Sequence, residues 1–104
     1  MAEDFRSSGP LSLILLDYVA PLDEIDALME AHVEWLKKGF DEGVFVVAGR
    51  KDPRTGGVIL VRGKKDAVAA LAESDPFVEN GAARFEVVGF NASFALPELA
   101  DLLA

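Results

Sequence analysis

The chain has 104 residues, of which 51% are hydrophobic, 27% are charged and 5 are proline, so it has room for one folded domain with one core. Its formal net charge of −8 repels the phosphates of nucleic acids and of anionic membranes, and we exclude both as partners. The sequence has no cysteine, which excludes disulfides, thiolate metal sites and cysteine nucleophiles.

We expect the beginning of the chain to contain no targeting signal. Residues 1–10 contain a Ser-Ser-Gly-Pro run and are predicted to form a flexible lead-in to the domain. The apolar run over residues 13–16 is far too short for a signal peptide or a membrane span. The sequence therefore predicts a cytoplasmic protein.

Strands and helices are predicted from hydrophobic periodicity and from the residues that begin and end them. The first strand covers residues 11–19, which are rich in aliphatic side chains. Pro21 suits the start of a helix, and apolar side chains recur at helical spacing from Leu22 to about Glu42. The later elements are predicted strands over residues 44–48, 58–61 and 85–90 and a second helix over residues 64–74.

The order βαββαβ is typical of a ferredoxin-like α+β fold, in which two helices cover the same face of an antiparallel four-stranded sheet. We assign residues 11–92 to this domain. Residues 93–104 form a C-terminal tail, in which a short helix can pack on the domain or on a partner.

Apolar residues occur on both faces of the predicted sheet. Leu13 points to one face and Ile14 to the other, because side chains alternate along a strand. Phe45 and Val47 are predicted to share a face for the same reason. A sheet that is apolar on both faces needs a second cover, and we expect a homodimer that stacks sheet on sheet. The alternative is a C-terminal tail that folds back over this face.

His32 is the single histidine of the chain and the first candidate for chemistry. It lies seven residues after Ile25, three after Met29 and four before Leu36, so it belongs to the helix stripe that faces the sheet. A buried imidazole needs a hydrogen-bond partner, and free imidazole titrates near neutral pH. The alternative is a core histidine that a carbonyl group or a water molecule satisfies.

Asp75 stands in the sequence Ser74-Asp75-Pro76-Phe77, where it can cap a short helix that begins at Pro76. Capping alone explains this Asp-Pro pair. The functional interpretation is that the carboxylate orients His32 and fixes its tautomer, and the two roles are compatible.

Gly49 and Arg50 close the second strand, and the guanidinium of Arg50 could hold a substrate carboxylate through two hydrogen bonds. The simpler alternative is a solvated arginine at a strand end. Together with Phe77 these residues are the predicted substrate-binding set. The sequence contains no phosphate-binding glycine loop, nucleophile elbow or metal-ligand spacing, so we expect no cofactor and no metal.

Three segments together resemble the YciI-like (YCII-related) family over about residues 13–90. They are Ala31-His32-Val33-Glu34-Trp35-Leu36 followed by Asp41-Glu42-Gly43, then Val47-Ala48-Gly49, and then residues 70–77 with Gly81 beyond them. The resemblance implies a dimeric α+β barrel with a dyad formed by a helix histidine and the aspartate of an Asp-Pro-aromatic turn, here His32 and Asp75. The chain departs from the family pattern at Arg50, where the family usually has proline, and at Leu28, where arginine is frequent.

Relatives in this family include dehydrochlorinases that act on aromatic ring products, and similar folds occur in muconolactone isomerases and monooxygenases. We therefore expect an enzyme in which His32 acts as general acid or base and Asp75 holds it, with lyase-like or isomerase-like chemistry on a small cyclic or aromatic acid. The main alternative is a dimeric module that binds a small metabolite without altering it. A purely structural domain and a monooxygenase, with or without haem, are further alternatives.

Overall fold

In a computed structural model of the chain, residues 9–99 are described and form an antiparallel sheet with helices against one face. The elements in chain order are β1 (Pro10–Tyr18), α1 (Leu22–Asp41), β2 (Phe45–Arg50), β3 (Gly56–Arg62), α2 (Lys65–Ala72), α3 (Pro76–Glu79) and β4 (Ala83–Asn91). The strand order is β2-β3-β1-β4, and every neighbouring pair is antiparallel. This topology confirms the predicted ferredoxin-like α+β fold.

The two ends of the chain are described only in part. Pro10, predicted to belong to the lead-in, is the first residue of β1 and pairs with Asn91 of β4. The rest of the predicted lead-in, residues 1–8, lies outside the described residues, as do residues 100–104 of the predicted tail. Within the described part of that tail, residues 97–99 are helical.

The face of the sheet that carries the helices, here called the covered face, holds the main core. Ile14 of β1 and Ile59 and Val61 of β3 are almost completely buried there. Val68 and Ala72 of α2, four residues apart and therefore on one side of the helix, pack against them. Helical spacing and strand alternation thus meet in one apolar cluster.

The long helix α1 packs through residues at helical spacing, and the residues at its two ends favour helix initiation and termination. Ile25 is fully buried and joins a second cluster with Phe77 of α3. Asp23 and Glu24 lie in the first turn, where negative charge complements the helix dipole. Just beyond the C-terminal end, Gly43 has a φ of +73°, a left-handed conformation that glycine adopts without steric cost. No helix within residues 9–99 is both long enough and apolar enough to cross a membrane.

The edge strand β2 contains a β-bulge that the sequence pattern does not indicate. Phe45 pairs with Val61 and Val47 pairs with Leu60, which leaves Val46 as the extra residue between them. The prediction that Phe45 and Val47 share a face is therefore wrong. Phe45 is buried on the covered face, whereas Val47 points to the opposite face and is exposed.

The opposite face of the sheet, here called the open face, is also apolar. Strand register places eight apolar side chains on it: Leu11, Leu13, Leu15, Val47, Val58, Leu60, Val88 and Phe90. Within residues 9–99, Val47, Val88 and Phe90 remain 57%, 42% and 44% exposed. Large exposed apolar patches of this kind are typical of interaction surfaces.

Candidate functional site

His32 lies in the middle of α1 and points towards the sheet. It is buried, with 8% of its surface exposed. Ile25, about two helical turns earlier on α1, is also buried. The helix therefore places an imidazole on its core-facing side, where a hydrogen-bond partner is required.

That partner is Asp75, which is fully buried and performs two tasks with one oxygen atom. Its backbone is extended at the N-cap of α3, and Pro76 occupies the first helical position. The Oδ1 atom accepts hydrogen bonds from the backbone nitrogen of Phe77 at 3.0 Å and from Nδ1 of His32 at 2.8 Å. A carboxylate in its ionised form only accepts, so the contact then requires a proton on Nδ1, and a neutral imidazole in this contact has its lone pair on Nε2. The Oδ2 atom is buried and has no partner among residues 9–99.

Aromatic rings fix the plane of the imidazole. Phe77 stacks on His32 with ring centroids 4.0 Å apart and planes inclined by 13°. The ring of Trp35, about one turn further along α1, has its centroid 5.8 Å from that of the imidazole. Tyr18 packs edge-on against Phe77 with ring centroids 5.7 Å apart. Because Phe77 is itself buried in the core, one face of the imidazole packs against a closely held ring.

A cavity of about 210 Å³ opens beside His32, between α1 and the covered face of the sheet. Its lining consists of Leu16, Tyr18, Met29, His32, Val33, Leu36, Ala48, Gly49, Arg50, Gly57, Val58, Ile59 and Phe77. Most of these side chains are apolar, and His32, Tyr18 and Arg50 supply the polar groups. A cavity of roughly 150 Å³ holds a benzene ring, so this one has room for a ligand with a single ring.

The structure brings the predicted site residues together around this cavity. Gly49, Arg50 and Phe77 line it beside His32, whereas Asp75 lies behind the imidazole and does not reach the cavity wall. Arg50 is exposed at the end of β2, and its side chain has no ion-pair or hydrogen-bond partner within the described residues. Its guanidinium is therefore available to hydrogen-bond an anionic ligand.

The loop between β2 and β3 is fastened to α1 by Arg54. The guanidinium donates to the Asp26 carboxylate at 2.6 Å, and this hydrogen bond raises the pKa of Arg54 above its ordinary value, with a smaller contribution from Tyr18. Since Arg50 and Gly57 flank this loop and both line the cavity, the fastening holds one rim of the cavity in place.

A second contact between α1 and the segment before α3 is absent from the sequence prediction. Trp35 Nε1 donates to Ser74 Oγ at 2.8 Å. The spacing of Trp35, three residues after His32, places both side chains on one side of the helix and is the only signal that could have indicated it. Within residues 9–99, no cluster of three or more His, Asp and Glu side chains is arranged to hold a metal ion.

Comparison with known proteins gives one family and one informative structure. The sequence profile of the YCII-related domain matches residues 11–91. Among solved structures, the chain is similar to 5-chloro-2-hydroxyhydroquinone dehydrochlorinase (TftG) from Burkholderia phenoliruptrix AC1100 in complex with 2,5-dihydroxybenzoquinone, with a TM-score of 0.63 and 22% sequence identity. The similarity covers 75% of this chain and 90% of the dehydrochlorinase chain, and it supports the ferredoxin-like fold. Comparison with curated proteins gives no significant match.

Proposed function

The chain belongs to the YCII-related domain family, and on this premise we propose that it is a small-molecule enzyme, a lyase or an isomerase, that works by general acid and base catalysis. The observation that carries the proposal is the 2.8 Å contact between His32 Nδ1 and Asp75 Oδ1 beside a ring-sized cavity. In this proposal His32 exchanges a proton with the substrate, and Asp75 holds the ring in one tautomer.

The proposed proton acceptor is His32 Nε2, because Nδ1 is already committed to Asp75. In an elimination, Nε2 takes a proton from a carbon next to a carbonyl group. The electron pair of the broken C–H bond forms the new double bond, and the leaving group departs as an anion with its own bonding pair. In an isomerisation, the imidazolium returns the proton to a different carbon. Neither reaction needs an oxidant or a reductant.

The proposed substrate is a small cyclic or aromatic acid. The cavity volume limits the ligand to about one ring, and apolar walls such as Leu36 and Ile59 favour an apolar ring face. In this proposal Arg50, which lines the cavity, binds an anionic substituent of the substrate. The dehydrochlorinase with the similar fold acts, by its name, on a substituted hydroquinone, which agrees with a ring-shaped substrate.

We also propose that two copies of the chain associate through the open face. The formal net charge of −8 makes two copies repel each other, so an association has to gain its free energy from apolar contacts. Val47 and Phe90 offer such contacts, and residues 93–99 of the tail leave them exposed. A closed two-fold pair would bury this face on both copies at once.

The enzyme proposal is tested by screening the purified protein against small cyclic and aromatic acids. Ligands that raise the melting temperature are then incubated with the protein, and the products are identified by mass spectrometry. We compare the wild type with His32→Gln and with Arg50→Gln. Lys38→Gln is the control for Arg50→Gln, because it also removes one positive charge but lies on the exposed side of α1 away from the cavity.

The proposal predicts a ligand that the wild type and Lys38→Gln convert, that His32→Gln binds without converting, and that Arg50→Gln binds more weakly. A ligand that binds to the cavity and is recovered unchanged under all conditions would overturn the enzyme proposal in favour of a metabolite-binding module.

A further inference from the structure

A second pair of side chains joins the same two segments as His32 and Asp75. Trp35 Nε1 donates to Ser74 Oγ at 2.8 Å, and Ser74 Oγ donates to the backbone oxygen of Leu71 at 2.6 Å. Trp35 lies three residues after His32 on α1, and Ser74 immediately precedes Asp75. The two contacts are therefore neighbouring connections between α1 and the link that joins α2 to α3.

The outer of these two connections lies in a different environment from the inner one. Ser74 is exposed, whereas Asp75 is fully buried. An exposed hydrogen bond adds little net stability, because water competes for both of its partners. The Trp35 indole is nevertheless held in place, since its ring packs against the rings of Phe45 and His32, with centroid distances of 5.0 Å and 5.8 Å. A fixed indole that binds Ser74 restrains the position of the link more than it stabilises the fold.

We infer that Trp35 and Ser74 are positioning residues for the His32–Asp75 pair. The inference rests on the proposed function, because it concerns the same imidazole. A hydrogen bond weakens steeply as its distance grows or its angle closes. The Asp75 carboxylate therefore has to keep its position along the axis of α1, level with His32 Nδ1. The Trp35–Ser74 contact prevents the link from sliding along the helix. It thereby keeps the proton on Nδ1 and leaves Nε2 as the nitrogen that a ligand meets.

The test measures the histidine ring directly and needs no substrate. The full chain is labelled with ¹⁵N in its single histidine, and the two ring nitrogens are observed by NMR from pH 5 to pH 9. The variants are Trp35→Phe, which keeps an aromatic ring but removes the N–H donor, and Ser74→Ala, which removes the acceptor. Ser74→Thr restores a hydroxyl at the same place. Glu73→Ala is the matched control, because it truncates an exposed neighbour on the same link.

We expect the wild type, Ser74→Thr and Glu73→Ala to show one neutral tautomer, protonated on Nδ1. Trp35→Phe and Ser74→Ala should each raise the population of the Nε2-protonated tautomer several-fold. Unchanged ring signals in both variants, whatever happens to their melting temperatures, would overturn the inference and leave the contact a structural one.

The same spectra separate this inference from the enzyme proposal. If the tautomer responds to Trp35→Phe and Ser74→Ala but no ligand is ever converted, the positioning role stands and the catalytic role of His32 fails. If substrate is converted while the tautomer populations are unchanged in both variants, the catalytic role stands and the positioning role fails. Asp75→Asn is the reference for the signal of an imidazole that has lost its carboxylate partner.

Discussion

The covered face and the open face of the sheet share one apolar alternation but differ in what lies on them. On the covered face, helices bury Ile14 and Ile59, and the cavity beside His32 is the space that α1 leaves unfilled. On the open face, Val47 and Val88 keep about half of their surfaces in contact with solvent within residues 9–99. The comparison shows that strand alternation determines which apolar side chains share a face. The helix that packs on one face then buries them and also positions the polar side chain of His32 at the cavity.

The largest effect that we expect comes from removing the imidazole of the covered face. His32→Gln keeps a hydrogen-bond donor near Asp75 but cannot exchange protons near neutral pH, so turnover of an identified substrate should fall by about 10²–10⁴-fold. Steady-state kinetics measure the loss, and circular dichroism reports the fold. A parallel loss of stability and activity would instead identify a structural histidine.

The next effect should break the open face and leave the cavity intact. Val88→Lys places a charge in the middle of the proposed contact between copies, so the dimer should dissociate at concentrations where the wild type stays paired. Light scattering coupled to size-exclusion chromatography measures the mass. Val19→Lys is the matched control, because Val19 is 51% exposed and lies outside the sheet. A monomeric wild type would refute the proposed dimer.

A smaller effect separates the two tasks of Asp75. Asp75→Ala removes the α3 cap, at a cost of about 1 kcal/mol, and leaves a buried histidine donor unpaired, at about 1–3 kcal/mol, so we expect a loss of about 2–4 kcal/mol in the free energy of unfolding. Asp75→Asn can still cap the helix and should lose about 1 kcal/mol less than Asp75→Ala. Urea unfolding at one fixed protein concentration measures both variants. Equal losses would show that the cap contributes nothing.

The smallest effect concerns Asp17, at the end of the open face, which contrasts with the buried pair. The hydrogen bond from Lys51 at 2.6 Å lowers the pKa of the Asp17 carboxyl, and the charge of Lys51 acts in the same direction. Lys51→Ala should return that pKa towards its ordinary value, as carboxyl ¹³C NMR can measure.

The sign of the accompanying stability change follows from this direction. A carboxyl whose pKa is lowered by folding stabilises the protein above its unfolded pKa, and that stabilisation is lost as the pH falls through its folded pKa. The contribution should be small and should vanish in high salt, because Asp17 is exposed to solvent. A stability difference between the wild type and Lys51→Ala that persists in high salt and at low pH would contradict this interpretation.

The sequence contains enough information to predict the fold class and the direction in which His32 points. Both depend on local periodicity: the spacing of His32 from Ile25 defines one side of a helix, and the order of the elements defines the ferredoxin-like topology. The Asp75 cap is equally local, because an Asp-Pro pair is a common start of a helix.

The remaining features depend on contacts between distant segments, and no local pattern encodes them. The bulge at Val46 shifts one edge strand by a single residue, and nothing in the alternation of its neighbours indicates where the shift occurs. The Trp35–Ser74 and Arg54–Asp26 contacts join residues 39 and 28 positions apart, so they arise only once the helices have packed on the sheet. The sequence can nominate the members of such pairs but not the pairing.

One carboxylate oxygen that serves both a helix cap and an imidazole has an evolutionary consequence. Under the proposed function, a lineage that abandoned catalysis would still be selected to retain Asp75, because its descendants would need α3 to begin at the same place. Within residues 9–99 the His32 ring makes no hydrogen bond to the backbone comparable to the Asp75 cap, so mutation could replace it once the proposed turnover ceased to matter. Among descendants of a common ancestor, retention of the histidine is therefore the better marker of an active branch.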